Sequence, residues 1–130
     1  KDASVVLHRV IEVLSGRVIL VHHAGLDKAL LDRICRQRFG ASLMVPVIDT
    51  LALERRRRHR RHQESDPQSL RLSTLRESYG LPRYGAHDCL VDAIATAELL
   101  VAMVARNGEI TNSRVREAFG MAPAATESTS

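Results

Sequence analysis

Arg17-Val18-Ile19-Leu20-Val21 is β-branched, apolar and only five residues long, and it lies between two segments of helical period. Such a run reads as a buried strand. Upstream, residues 4–15 place Val6, Val10, Ile11, Val13 and Leu14 largely on one side of a helix that Ser15-Gly16 closes. Downstream, Gly25 to Phe39 returns to helical period through Leu26, Leu30, Leu31, Ile34, Cys35 and Arg38, with Gly40 as the stop. Strand followed by helix is half of a βαβ unit. Leu43 to Ile48 is a second short strand, although Pro46 argues against a central position with every ladder bond made. Only two strands are visible, and two rarely make a stable sheet, so something that should pair with them is expected to be missing from this sequence.

Asp49-Thr50 offers an N-cap for a helix from about Leu51. That helix runs into Arg55-Arg56-Arg57-Arg58-His59-Arg60-Arg61-His62 and frays into a polar loop from Gln63 to Gln68. Ser69 to Tyr79 reads as a short helix stopped by Gly80 and Pro82. Asp88 to Ala105 is the longest periodic segment, and its spacing of Leu90, Ile94, Ala97, Val101 and Val104 predicts one buried face. Thr111 to Phe119 reads as a last short helix and Ala122 to Ser130 as a disordered tail. A chain of 130 residues holds one core, so residues 1–120 are expected to belong to a single domain, with 121–130 as the tail.

The net charge of +4 comes almost wholly from arginine, since Lys1 and Lys28 are the only lysines among 19 basic residues. This balance permits a polyanionic partner. Cys35 and Cys89 are isolated, which excludes a disulfide framework, argues against structural zinc and predicts two buried thiols. No apolar run is long enough to span a bilayer and no signal-peptide layout opens the chain, so the expected compartment is the cytoplasm, with no membrane partner. A first residue of Lys1 rather than methionine suggests a fragment or a processed product.

Two segments carry chemistry. In Tyr84-Gly85-Ala86-His87-Asp88-Cys89-Leu90-Val91-Asp92-Ala93, residues 87 and 92 would diverge by about 140° on one helix. His87 therefore belongs to the loop, free to turn toward whatever Asp92 faces. An acid among apolar helix residues is costly unless paired or bound to a metal; the plainer reading is a solvated polar-face residue. In Val21-His22-His23-Ala24-Gly25-Leu26-Asp27, a strand ends and a helix begins, the position where α/β folds gather ligands. Asp27 suits a metal there, or simply complements the helix dipole. The adjacent His22 and His23 diverge on an extended chain and cannot easily share one metal.

Taken together, the two segments resemble motifs of the DnaQ-like, or DEDDh, exonucleases, the family that includes the proofreading subunit of bacterial replicative DNA polymerase. The family's second motif is histidine, asparagine, two variable residues, an aromatic and aspartate, against His22, His23, Ala24, Gly25, Leu26 and Asp27 here. Its third motif is histidine, four residues, then aspartate and alanine, which His87, Asp92 and Ala93 match. Leu72 to Leu81 and Val47 to Leu51 also resemble family segments, and the likeness covers roughly residues 4–106. His23 replaces the asparagine and Leu26 the aromatic. The first motif, an aspartate and a glutamate one residue apart, has no counterpart.

The resemblance implies an α/β, ribonuclease H-like fold, truncated at its N-terminus, with helices around a partial mixed sheet. It implies two Mg2+ or Mn2+ ions in the complete domain, Asp27 and Asp92 as ligands and His87 as general base. The implied reaction releases nucleoside monophosphates from the 3′ end of single-stranded nucleic acid, DNA before RNA, as a free enzyme or a DNA polymerase subunit. His22 and His23 would then border the substrate, and Arg55, Arg56, Arg57 and Arg58 would hold phosphates unless they are a solvated helix end. With two of four acids, the chain by itself is expected to have little nuclease activity. The rivals are a degenerate, non-catalytic interaction module and a helical HD-type phosphohydrolase, suggested by His87-Asp88. A strand at residues 18–21 would exclude the latter.

Overall fold

A computed structural model of the chain describes residues 2–23, 25–85 and 88–121, and of residues 26, 27 and 109–111 the backbone alone. The architecture is mixed α/β, mostly helical, around a small parallel sheet. Helix α1 (Ala3–Leu14) begins where Asp2 accepts the Ser4 N–H at 3.0 Å. Strand β1 (Ile19–Val21), helix α2 (Gly25–Phe39) and strand β2 (Val47–Asp49) form the βαβ unit. Its strands pair in parallel, Ile19 with Val47, Leu20 with Ile48 and Val21 with Asp49. The β1 strand removes the all-helical HD-type alternative.

Helix α3 (Thr50–Arg60) starts directly at the end of β2, capped by Asp49. A 3-10 turn (Pro67–Leu70) leads into α4 (Leu72–Ser78), followed by α5 (Cys89–Asn107) and α6 (Glu109–Ala118). Gly40 closes α2 and Gly80 follows α4, both at a positive φ near 70° that a side chain would strain. The main core is helical: Leu75 and Tyr79 meet Leu99 and Met103 of α5, with Leu53, Leu72, Leu81 and Ala102 packed around them. Helix α5 also packs on β1. None of the described helices is long and apolar enough to cross a membrane.

Several expectations shift. The second strand occupies 47–49 rather than 43–48: Pro46 has no N–H to donate, and its carbonyl, accepting the Ile19 N–H at 2.9 Å, makes the first bond between the two strands. The described sheet is parallel, not mixed. On α5 the inward stripe is Ala95, Thr96, Leu99 and Met103, whereas Leu90, Ile94 and Val101 are exposed. The helix carries two adjoining apolar stripes, and period alone does not say which one faces the core. Likewise α1 buries Leu7 while Val5, Val6, Val10 and Val13 stay exposed. Cys35 is buried, but Cys89 is exposed on the first turn of α5. The expected tail from 122 onward lies outside the described residues.

Candidate active site

Because β1 and β2 are parallel, their carboxyl ends lie at one edge of the sheet, where the chain leaves each strand with its polar side chains converging. Three segments meet there: His22-His23 after β1, Asp49-Thr50 after β2, and the turn ending at Leu70. The His22 ring joins them. Its Nδ1 lies 2.7 Å from Thr50 Oγ1 and its Nε2 2.8 Å from the Leu70 carbonyl. A carbonyl only accepts, so Nε2 carries a proton and donates. Burial pulls the ring's pKa below its ordinary value, with partial compensation from the Leu70 carbonyl and from Asp49. The neutral ring then takes the Thr50 hydroxyl proton on Nδ1. Were it protonated, Nδ1 would donate and the Thr50 hydroxyl would turn to the Val21 carbonyl, 3.2 Å away.

His22 therefore has both nitrogens engaged by the protein and no free polar atom for a substrate. It pins the 67–70 turn to the strand edge. The sign of its pH dependence follows from the lowered pKa: the unfolded chain binds the proton more readily, so stability is complete above the ordinary value of 6.5 and falls as pH drops below it. We expect urea midpoints to decline as pH falls below about 6.5 in the wild type and to flatten in His22→Asn. A wild-type midpoint constant across that fall would refute the assignment.

His23 is exposed and left-handed, at φ 71°. Its N–H donates to Asp49 Oδ1 at 2.8 Å, and the same oxygen accepts the Leu51 N–H at 2.9 Å. Asp49 was legible as a helix cap; its second duty, tying the peptide after β1 to the end of β2, was not. Asp27 falls in the first turn of α2, immediately beyond this edge. Asp88 caps α5, accepting the Leu90 N–H at 2.8 Å. Asp92 follows one turn later, exposed rather than buried among apolar neighbours, and its carboxylate has no hydrogen bond or ion pair among the described residues.

His87 lies outside the described residues, but the loop leading to it is firmly held. The buried Arg76 guanidinium donates to the Ala95 carbonyl at 2.7 Å and to the Pro82 carbonyl at 3.0 Å. It also lies 4.7 Å from the centre of the Tyr84 ring, whose hydroxyl bonds Glu98. These contacts fasten residues 82–84 to α5. Oxygen donors such as Asp92 suit a hard divalent cation. Among the described residues, however, no three His, Cys, Asp or Glu side chains come close enough to hold a metal. No step through a metal follows from these donors alone.

The arginine run divides. Arg57 and Arg58 turn inward onto Glu54, a carboxylate only 1% exposed, with Arg57 Nη2 at 2.6 Å and Arg58 Nε at 3.0 Å. They are committed to the fold. Arg55 and Arg56 are exposed. Glu54 escaped the sequence reading, although a glutamate with arginines three and four residues later is a recognisable helical signal.

The chain is similar to a PolC-type DNA polymerase III from Caldanaerobacter subterraneus subsp. tengcongensis, with 30% identity over 120 residues. The match takes in 90% of this chain and 8% of that protein's length. No family model matches the chain, and no solved structure matches it.

Proposed function

We propose that residues 1–120 contribute part of a metal-dependent 3′-to-5′ exonuclease domain acting on single-stranded DNA, and less readily on RNA. Asp27 and Asp92 are the proposed ligands of Mg2+ or Mn2+, and His87 the proposed base that takes a proton from the attacking water. The observation that carries this reading is placement: Asp27 lies in the first turn of α2, just past the carboxyl end of β1, and Asp92, accessible to a ligand, lies on the first turn of α5, a helix that packs on β1. Similarity to a DNA polymerase III supports DNA as the substrate class and polymerase association as the setting. Two carboxylates neutralise two dications poorly, so the reading requires two further acids beyond those named here.

The test is release of mononucleotides from the 3′ end of a labelled single strand with Mn2+, using this chain and the longest natural polypeptide that contains it. Activity in the longer protein, abolished by Asp92→Asn while the protein stays folded, is the expected result. Undiminished hydrolysis by Asp92→Asn would sink the assignment. Retained DNA binding without hydrolysis in either protein would favour the non-catalytic module.

A further inference from the structure

The exposed arginines of α3 lead away from the candidate active site, Arg56 alone sharing a hollow with Asp49 of that edge. Helix α3 starts at that site with Thr50 and runs 11 residues, so its far end lies about 16 Å away. There it meets the last turn of α5 and the side of α6. Three hollows of about 350, 70 and 370 Å³ that share lining residues run along α3, the first beside Val47 to Asp49 of β2 and the second and third reaching Asn107 at the end of α5. Arg56 and Arg114 line the first two, and Arg61 and Asn107 the second and third. Arg60 lines the middle one. The result is one groove with arginine along its length, built by three elements far apart in sequence.

The guanidinium groups of Arg56, Arg60 and Arg61 have no partner among the described residues. Among the described residues Arg114 pairs only with the exposed Glu117, at 3.2 Å. Acids line only the outer hollows, Asp49 and Glu117 the first and Glu54 and Glu64 the third, and Glu54 is already engaged by Arg57 and Arg58; none lines the middle one. Helix dipoles favour cations at the end of α3. That benefit is worth tenths of a kcal/mol per charge and does not explain why Arg114, from α6, converges on the same groove. Unrelieved like charges at this spacing repel one another, so a polyanion would lower the energy of the whole surface.

We propose that this groove, running from beside the candidate active site along α3 to its far end, binds the phosphodiester backbone of a nucleic acid strand through Arg56, Arg60, Arg61 and Arg114. The proposal rests on the exonuclease reading for the identity of the polyanion, and goes beyond it in naming a holding surface that leads away from the cutting edge. From Arg56 to Arg61 the helix advances roughly 7 Å, enough for two to three phosphates of one strand. Planar guanidinium groups suit phosphate oxygens, and no base readout is implied.

The experiment is fluorescence anisotropy of a labelled oligothymidylate of roughly 20 nucleotides, titrated across a salt series in EDTA, so that hydrolysis plays no part. A triple variant, Arg56→Gln, Arg60→Gln and Arg61→Gln, is compared with Arg9→Gln, Arg33→Gln and Arg36→Gln, which removes the same charge from exposed positions of α1 and α2. The expected result is a salt slope lowered by about 2 in the groove variant, at roughly 0.7 per lost phosphate contact, with the control unchanged. The groove variant should also melt no lower than the wild type, since these side chains stabilise nothing by contact. An unchanged slope, an equal loss in the control, or poly-glutamate competing as well as DNA would overturn the proposal. Loss of binding leaves the Asp92→Asn hydrolysis test untouched, so failure here and failure of the exonuclease reading are separately visible.

Discussion

Replacing Glu54 with alanine is expected to lower the unfolding free energy by about 3–5 kcal/mol, the range for breaking one side of a buried ion pair. The carboxylate accepts from Arg57 Nε at 3.1 Å to both oxygens, from Arg57 Nη2 at 2.6 Å, from Arg58 Nε at 3.0 Å and from the Tyr79 hydroxyl at 2.9 Å. Tyr79 in turn accepts from the Asn107 amide at 2.6 Å. One side chain thus links α3, the end of α4 and the end of α5. Alanine leaves two cations and a buried hydroxyl facing a void, which costs more than the pair contributed. Glu54→Gln keeps one acceptor oxygen and the volume, and should lose about half as much. Urea unfolding with a constant slope measures both. A loss below about 1 kcal/mol for the alanine variant would show that the network is solvated rather than sealed.

The same residue sets an acid limit. Burial pushes the Glu54 carboxyl upward, but the hydrogen bonds from Arg57, Tyr79 and Arg58 outweigh it and hold the group below its ordinary value of 4.5. Its contribution is therefore complete above that value and is lost as pH falls through it. The His22 decline begins at higher pH, below 6.5 rather than 4.5, and Glu54→Ala should lack the contribution that is lost below 4.5.

How far the sequence could be read depended on whether a feature was local. The βαβ order, the Asp49 and Asp88 caps and the glycine stops are written in neighbouring residues, and those elements formed where local chemistry puts them. Which stripe of α5 turns inward was not local. It is decided by Leu75 and Tyr79, which choose Leu99 and Met103 over the equally periodic Leu90, Ile94 and Val101. The site divides the same way. The Asp27 and Asp92 positions at helix starts were legible from spacing, while the engagement of His22 by Thr50 and Leu70, 28 and 48 residues away, was not. The arginine run misled for a related reason: four adjacent arginines look alike in sequence, yet helical geometry turns Arg57 and Arg58 onto Glu54 and leaves Arg56 in the groove.

Arg76→Lys should cost about 1.5–3 kcal/mol, the worth of a charged hydrogen bond whose partners stay buried, even though it keeps the charge. The guanidinium is 3% exposed and acts as a fork, one nitrogen on the Ala95 carbonyl of α5 and another on the Pro82 carbonyl of the loop. An ammonium on a flexible stem cannot reproduce two directed bonds and a flat stack on the Tyr84 ring together. Its nearest acid, Glu98 at 3.7 Å, is partly exposed and engaged by Tyr84, so charge alone recovers little. The loss should be uneven: amide exchange should accelerate most at Leu81 and residues 83–85, which lose their tie to α5, and least at Leu99 and Met103. Since that loop leads to His87, Arg76 is a positioning residue in the exonuclease reading, and Arg76→Lys should lower turnover more than it weakens DNA binding. Uniform acceleration of exchange across α5 would instead mean that Arg76 supports the core as a whole and holds the loop only incidentally.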